Sequence, residues 1–185
     1  MNTLKDYIVN IDNAIPLALC DSVLNEYKNS YDWLPAVTAS GKADAERQCS
    51  TIGISFDSVI QKNTQIRKNL DAYLFVSASY AIKKYRENFP ICEIEEDSGY
   101  DLLRYEVGQL YATHTDSFKE RPRAVSCSFI LNDDYEGGEF AFFNRDLVYK
   151  LKKGSCLMFP SNFMYPHEIM PVTSGTRYSI VTWFI

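Results

Sequence analysis

AVSCSFILNDDYEGGEFAFF, Ala124 to Phe143, holds two apolar runs around a polar turn. The first run is rich in β-branched and aromatic residues and stops at Asn132 and Asp133. The second begins directly after Gly137 and Gly138. Short apolar runs bounded by Asn, Asp and Gly read as strands joined by a turn. The same texture continues on both sides: YDLLRYEV lies upstream, and LVYKLK, GSCLMFP and RYSIVTWFI lie downstream. From Tyr100 to Ile185 the chain therefore reads as closely spaced short strands, the pattern of a β-sandwich or jelly roll.

The N-terminal part has a different period. DYIVNIDNAI, Asp6 to Ile15, reads as a short strand and turn. PLALCDSVLNEYKNS reads as a helix with Pro16 at its start and Leu17, Cys20, Val23, Leu24 and Tyr27 on one face. Asp32 to Arg47 breaks the pattern with Pro35 and Gly41. A loop of that length is often functional, so this stretch, with Trp33 and Leu34, is a candidate lid. STIGISFD, Ser50 to Asp57, reads as a strand. Thr64 to Asn88 is the clearest helix, with Ile66, Leu70, Tyr73, Leu74, Ala78, Ala81, Ile82 and Tyr85 at three- and four-residue steps and Pro90 to end it. The expected fold is α+β: a double-stranded β-helix (jelly roll) with N-terminal helices packed on one sheet, forming a single domain over residues 1–185. Residues 16–90 would give the helical support and the stretch from about residue 100 to 185 the core.

Composition narrows the class of function. Hydrophobic residues are 46% and charged residues 23%, ordinary values for a globular chain. Aromatic residues reach 14%, which favours strands. The net charge is −5 and no Lys/Arg cluster stands out, so there is no nucleic-acid footprint. Five scattered cysteines with no Cys-x-x-Cys read as free thiols in a reducing compartment, and the default location is cytoplasmic. The N-terminus has charges inside its only apolar run, unlike a signal peptide, and no run is long enough to span a membrane. Monomer and homodimer fit equally.

The chain has only two histidines, and both stand near chemistry. His114 and Asp116 lie in YATHTDSF; residues i and i+2 of a strand share a face, so the two can reach one point. If His167, in NFMYPHEIMP, returns to that point, the set is two imidazoles and a carboxylate. Such a set leaves open positions and is diagnostic of non-haem Fe(II) oxygenases. Each member alone reads more readily as a surface or satisfied core residue. Arg177 adds weight because it enters an apolar strand in GTRYSIVTWFI. A buried guanidinium needs an anionic partner, either an acidic side chain or a ligand carboxylate.

Taken together, RYEVGQLYATHTD, SFILNDDYEGGEFAFF and GSCLMFPSNFMYPHEIMPVTSGTRYSIVTWF resemble the prolyl 4-hydroxylase branch of the Fe(II)/2-oxoglutarate-dependent dioxygenases. The resemblance covers Asp101 to Ile185, and IVNIDNAIP fits more loosely. It implies that His114, Asp116 and His167 are the iron ligands and that Arg177 pairs with the distal carboxylate of 2-oxoglutarate. It also implies that Tyr105 hydrogen-bonds the cosubstrate near its metal-chelating end. Trp183 would line the substrate side, and Tyr111 would support the site or the substrate channel; core packing is the competing reading for both. The implied cofactors are Fe(II), 2-oxoglutarate and O2, with ascorbate as a reductant.

Two departures matter. Relatives place a tyrosine, threonine or lysine before the Leu-Asn pair, where this chain has Ser128, Phe129 and Ile130. The hydroxyl partner of Arg177 is thus open among Thr176, Ser179 and a tyrosine. Where prolyl hydroxylases carry Arg-Thr-Ser, this chain has Arg47-Gln48-Cys49-Ser50, which keeps Arg47 as a substrate contact but weakens a peptide substrate. The resemblance implies hydroxylation of a prolyl residue in a peptide or protein, with the Asp133–Gly138 turn near the mouth. The same chemistry on a free amino acid, small metabolite or nucleobase is the alternative. A non-catalytic cupin-like metal binder is more remote, since cupins bring three histidines. An interaction module with an incidental His114 is the last reading.

Overall fold

The computed structural model describes residues 2–37, 45–55, 65–117, 119 and 122–185. In chain order the strands are β1 (Val9–Ile11), β2 (Leu34–Pro35), β3 (Ser50–Gly53), β4 (Asp101–Tyr105), β5 (Tyr111–His114), β6 (Val125–Ile130), β7 (Glu136–Gly137), β8 (Phe140–Phe142), β9 (Leu147–Tyr149), β10 (Cys156–Pro160), β11 (His167–Ile169), β12 (Val172–Ser174) and β13 (Arg177–Phe184). Two α-helices, α1 (Leu17–Tyr27) and α2 (Gln65–Asn88), precede the strand-rich half. Among the described residues every strand pairing is antiparallel.

The larger sheet has the order β1-β10-β6-β13-β4-β3-β2, and the smaller one β5-β11-β8-β9. A two-stranded ribbon joins β12 to β7. The two faces of the larger sheet have different partners. Val125, Cys127, Phe129, Met158, Tyr178 and Ile180 share one apolar cluster with Val23 and Tyr27 of α1 and Leu74, Ala78, Ala81 and Tyr85 of α2. Leu103, Tyr105, Ile130, Leu157 and Phe159, from the other face, cluster with Phe140, Phe142 and Ile169 of the smaller sheet. Alternation along a strand produces this division.

The glycine pair in the quoted stretch is dictated by close packing. Gly137 and Gly138 both have positive φ, 74° and 67°. A Cβ on Gly137 would stand 2.2 Å from the Pro171 carbonyl oxygen, and one on Gly138 would stand 2.8 Å from Arg177 Cδ. Gly138, the last residue of the turn expected near the mouth, thus lies against the arginine.

Three expectations need correction. Leu34–Pro35, expected inside a loop, pairs with β3, and the Ala36 N–H donates to Cys49 O at 2.8 Å. Trp33 is anchored under Arg104 at 4.4 Å and donates to Tyr27 O, so the start of that stretch is held as an edge. The remainder of the candidate lid, 38–44, lies outside the described residues, as do 56–57 of the expected strand and Thr64. On the helices, Leu17 is exposed while Leu19 is buried. Ile66 and Tyr73 are likewise exposed, and Ser77 and Arg67 are turned inward. The buried face follows the sheet it meets, and apolar residues one step around the helix stay in solvent. All five cysteines are free thiols.

Candidate active site

The site begins with one register. His167 of β11 is the direct partner of His114 of β5 across an antiparallel pair. Facing residues of such a pair carry their side chains on the same side, and these two rings stand 4.3 Å apart, centroid to centroid. Asp116 follows β5 and closes the set: its Oδ1 is 3.4 Å from His114 Nε2 and its Oδ2 is 3.7 Å from His167 Nε2. One potential ligand atom from each lies within 4.8 Å of the others, so the three could hold a metal ion.

The surroundings fix this arrangement. His114 Nδ1 meets Ala112 O at 2.8 Å, and His167 Nδ1 meets Tyr165 O at 3.1 Å. A carbonyl only accepts, so each ring carries its proton on Nδ1 and turns a lone pair on Nε2 to the centre. Ser126 donates to Asp116 Oδ2 at 2.6 Å and meets the Ser161 hydroxyl at 2.8 Å. The Asp116 N–H donates to Ser161 O. Tyr111 stacks on the His114 ring at 3.5 Å and 16°. Arg47 in turn lies over Tyr111 at 5.0 Å.

The electrostatics favour a carboxylate at Asp116 beside a neutral His167. Burial by itself raises the Asp116 carboxyl, but the neighbouring His167 and His114 and the Ser126 hydroxyl outweigh it and hold it well below the usual range. Burial lowers His167 to about 4 against the opposing pull of Asp116. At neutral pH His167 is unprotonated.

A second feature shares the cavity. Arg177 is 1% exposed, yet among the described residues it pairs with no carboxylate. Its Nη1 donates to Ser179 at 2.8 Å, while Nε and Nη2 have no partner. Its guanidinium stands 5.3 Å from the Tyr105 ring, the cross-strand partner on β4. Burial pushes the Tyr105 hydroxyl well above its ordinary range, with the Cys49 thiol adding to the rise. A cavity with about 440 Å³ of empty space, partly open to solvent, runs between the sheets and is lined by Arg177 and all three members of the His–Asp–His set.

Eight residues read from the sequence as metal, cosubstrate or substrate contacts line this cavity: Arg47, Tyr105, Tyr111, His114, Asp116, His167, Arg177 and Trp183. Of the three hydroxyl candidates, Ser179 is the one that accepts from Arg177. Sequence reasoning missed Ser126, Ser161 and Arg123. Arg123 lies 3.5 Å over the Trp183 ring and donates to Asp116 O, tying the carboxylate's backbone to the far wall. The signal for Ser126 was present: VSCSFI places two serines on one face of an otherwise apolar, fully buried strand. Nothing local in the sequence marks Ser161 or Arg123.

The comparisons agree with this geometry. Residues 100–185 match the 2OG-Fe(II) oxygenase superfamily profile. A PKHD-type hydroxylase of Idiomarina loihiensis is 33% identical over 88 residues, 44% of this chain and 39% of that protein. One of Gloeothece citriformis is 38% identical over 88 residues, 43% of this chain and 39% of that protein. The matched region thus spans well under half of these relatives. In overall fold the chain is similar to a Trichoplax adhaerens prolyl hydroxylase solved with a hypoxia-inducible-factor peptide, at TM-score 0.78 and 21% identity over 97% of this chain and 83% of that one. It is also similar to a Pseudomonas putida prolyl-4-hydroxylase, at TM-score 0.71 and 19% identity over 96% of this chain and 91% of that one. Over residues 100–185, just under half of its length, this chain is similar to the 2OG-Fe(II) oxygenase superfamily.

Proposed function

We propose that the protein is an Fe(II)- and 2-oxoglutarate-dependent dioxygenase that hydroxylates a C–H bond, with a prolyl residue of a peptide or protein as substrate. One observation carries the reading: a His–Asp–His set and a buried, carboxylate-free arginine line the same cavity. The donor set suits iron, with two imidazoles and one carboxylate. The two bare donors of Arg177 suit the distal carboxylate of a dicarboxylic acid.

When bound, iron with 2-oxoglutarate and O2 supplies the oxidising chemistry, releasing succinate and CO2. The chain's own contribution is positional. His114, Asp116 and His167 hold the metal, and their hydrogen bonds to Ala112, Tyr165 and Ser126 keep the lone pairs aimed. Arg177, steadied by Ser179, anchors the cosubstrate, with Tyr105 beside it. Arg47, Tyr111 and Trp183 line the cavity and would contact the substrate. Ascorbate serves as the reductant of off-cycle iron.

Peptide as the substrate is supported by the kind of protein the chain resembles in fold, one of them solved with a peptide. We read the chain as one domain in which the helices back the larger sheet, working in the cytoplasm as a monomer or homodimer. The free cysteines support the compartment. No helix among the described residues is long and apolar enough to cross a membrane. The test is succinate release with Pro-rich peptides, free amino acids and nucleotides, read by mass for a product with one added oxygen. Release only with a free amino acid or nucleotide would overturn the peptide reading.

A further inference from the structure

We propose that Ser128 is a further cosubstrate-binding residue, its hydroxyl donating to a carboxylate or keto oxygen of the bound 2-oxo acid; this rests on the reading of the site given above. Ser126 and Ser128 of β6 and Ser179 of β13 all line the cavity. Two of these hydroxyls are engaged within the protein, Ser126 with Asp116 and Ser161, and Ser179 with Arg177. The third is not: Ser128 is 3% exposed, and its Oγ has no partner among the described residues.

Its place is defined by register. Along the β13–β6 pair, Trp183 faces Ser126, Val181 faces Ser128 and Ser179 faces Ile130. Ser128 therefore stands between the metal-binding end and the arginine end. A hydroxyl can swing to reach a nearby carbonyl, so one left unsatisfied in a buried strand destabilises the protein unless a ligand completes it. Alanine would fit the same space without that cost. Among the described residues, the unsatisfied groups of this cavity include the Arg177 Nε and Nη2 and the Ser128 hydroxyl, which offer donors and no obligate acceptor. That set matches an acid with acceptors along its length and would discriminate against a monocarboxylate.

The test is Ser128→Ala in the intact chain, loaded with Mn(II) in place of iron and titrated with 2-oxoglutarate by calorimetry. Affinity for 2-oxoglutarate should fall about tenfold, as for a hydrogen bond to a charged group. Mn(II) affinity should stay within about twofold, because no hydrogen bond joins the Ser128 hydroxyl to His114, Asp116 or His167. The ligand-free variant should melt about 2–4 °C higher, because the unsatisfied hydroxyl is gone. A role in packing alone would instead lower the melting point and leave 2-oxoglutarate binding unchanged. Affinity for 2-oxoglutarate within about twofold of the parent would overturn the proposal, including the case in which Ser128 merely holds a water. Arg177→Ala in the same titration separates the two levels. If it binds as tightly as the parent, or the parent does not bind, the site reading itself falls. If Arg177→Ala binds poorly and Ser128→Ala normally, only the Ser128 assignment falls.

Discussion

His114 and His167 face each other directly across the β5–β11 pair, and each has given its Nδ1 to a backbone carbonyl. Only the Nε2 atoms remain for Asp116 and a metal. Replacing His114, Asp116 or His167 with Ala should therefore lower iron affinity at least about 100-fold, since even outer-shell partners are worth 10- to 100-fold. Ser126→Ala removes only the hydroxyl on Asp116 and should cost about tenfold. Metal content after dialysis against graded chelator checks both, and full metal retention in His167→Ala would refute the ligand set.

Arg177→Ala should weaken 2-oxoglutarate by on the order of 2–5 kcal/mol, because a buried ligand carboxylate would lose its charged partner. Iron affinity should hold. Equal loss of both in calorimetric titrations would make the arginine a structural residue.

Gly138→Ala acts on the same side chain from behind. The new Cβ would stand 2.8 Å from Arg177 Cδ, a flexible chain that can move. We expect 2-oxoglutarate affinity to drop about tenfold with about 1–3 kcal/mol of destabilisation from the positive φ. Gly137→Ala meets the Pro171 carbonyl at 2.2 Å, where backbone must shift, and should destabilise more. Urea unfolding of both variants decides the order.

Acid should unfold the metal-free protein partly through His167. Its folded pKa of about 4 lies below the ordinary 6.5. Between these values the unfolded chain binds the extra proton, so stability is full above about pH 6.5 and declines as pH falls towards 4. The whole shift is worth on the order of 3 kcal/mol. Urea midpoints of chelator-treated protein across that window measure the slope, and His167→Asn should flatten it. An unchanged slope in that variant would show that other groups drive the loss.

The helices supply a prediction and show where sequence reading fails. Leu74 is fully buried between α2 and the sheet, so Leu74→Ala should cost about 2–5 kcal/mol. Ile66, one of the same apolar series, is 58% exposed, and Ile66→Ala should stay within about 0.5 kcal/mol. Thermal melts of the two variants test this contrast. Periodicity locates a helix but leaves its facing ambiguous by one step when apolar residues such as Phe75 and Val76 ring it.

The strands were more legible, because Gly, Asn and Pro punctuate them and alternation is unambiguous at period two. The site was legible where a residue type is rare or costly to bury, as with two histidines and a strand arginine. It was illegible where a common residue acquires a role through distant pairing. Ser161 and Arg123 reach Asp116 only after β5, β6 and β10 have assembled.

Strand β13 alternates between two jobs. Arg177, Ser179, Val181 and Trp183 line the cavity, while Tyr178, Ile180 and Phe184 enter the cluster shared with the helices. A strand has a reading frame of two, and a slip by one residue would exchange the sets. The guanidinium would then be driven among leucines and tyrosines, and isoleucine would face the His–Asp–His set. Misregistered chains are thus rejected by the core before any ligand arrives. The buried arginine doubles as a checksum on the final strand.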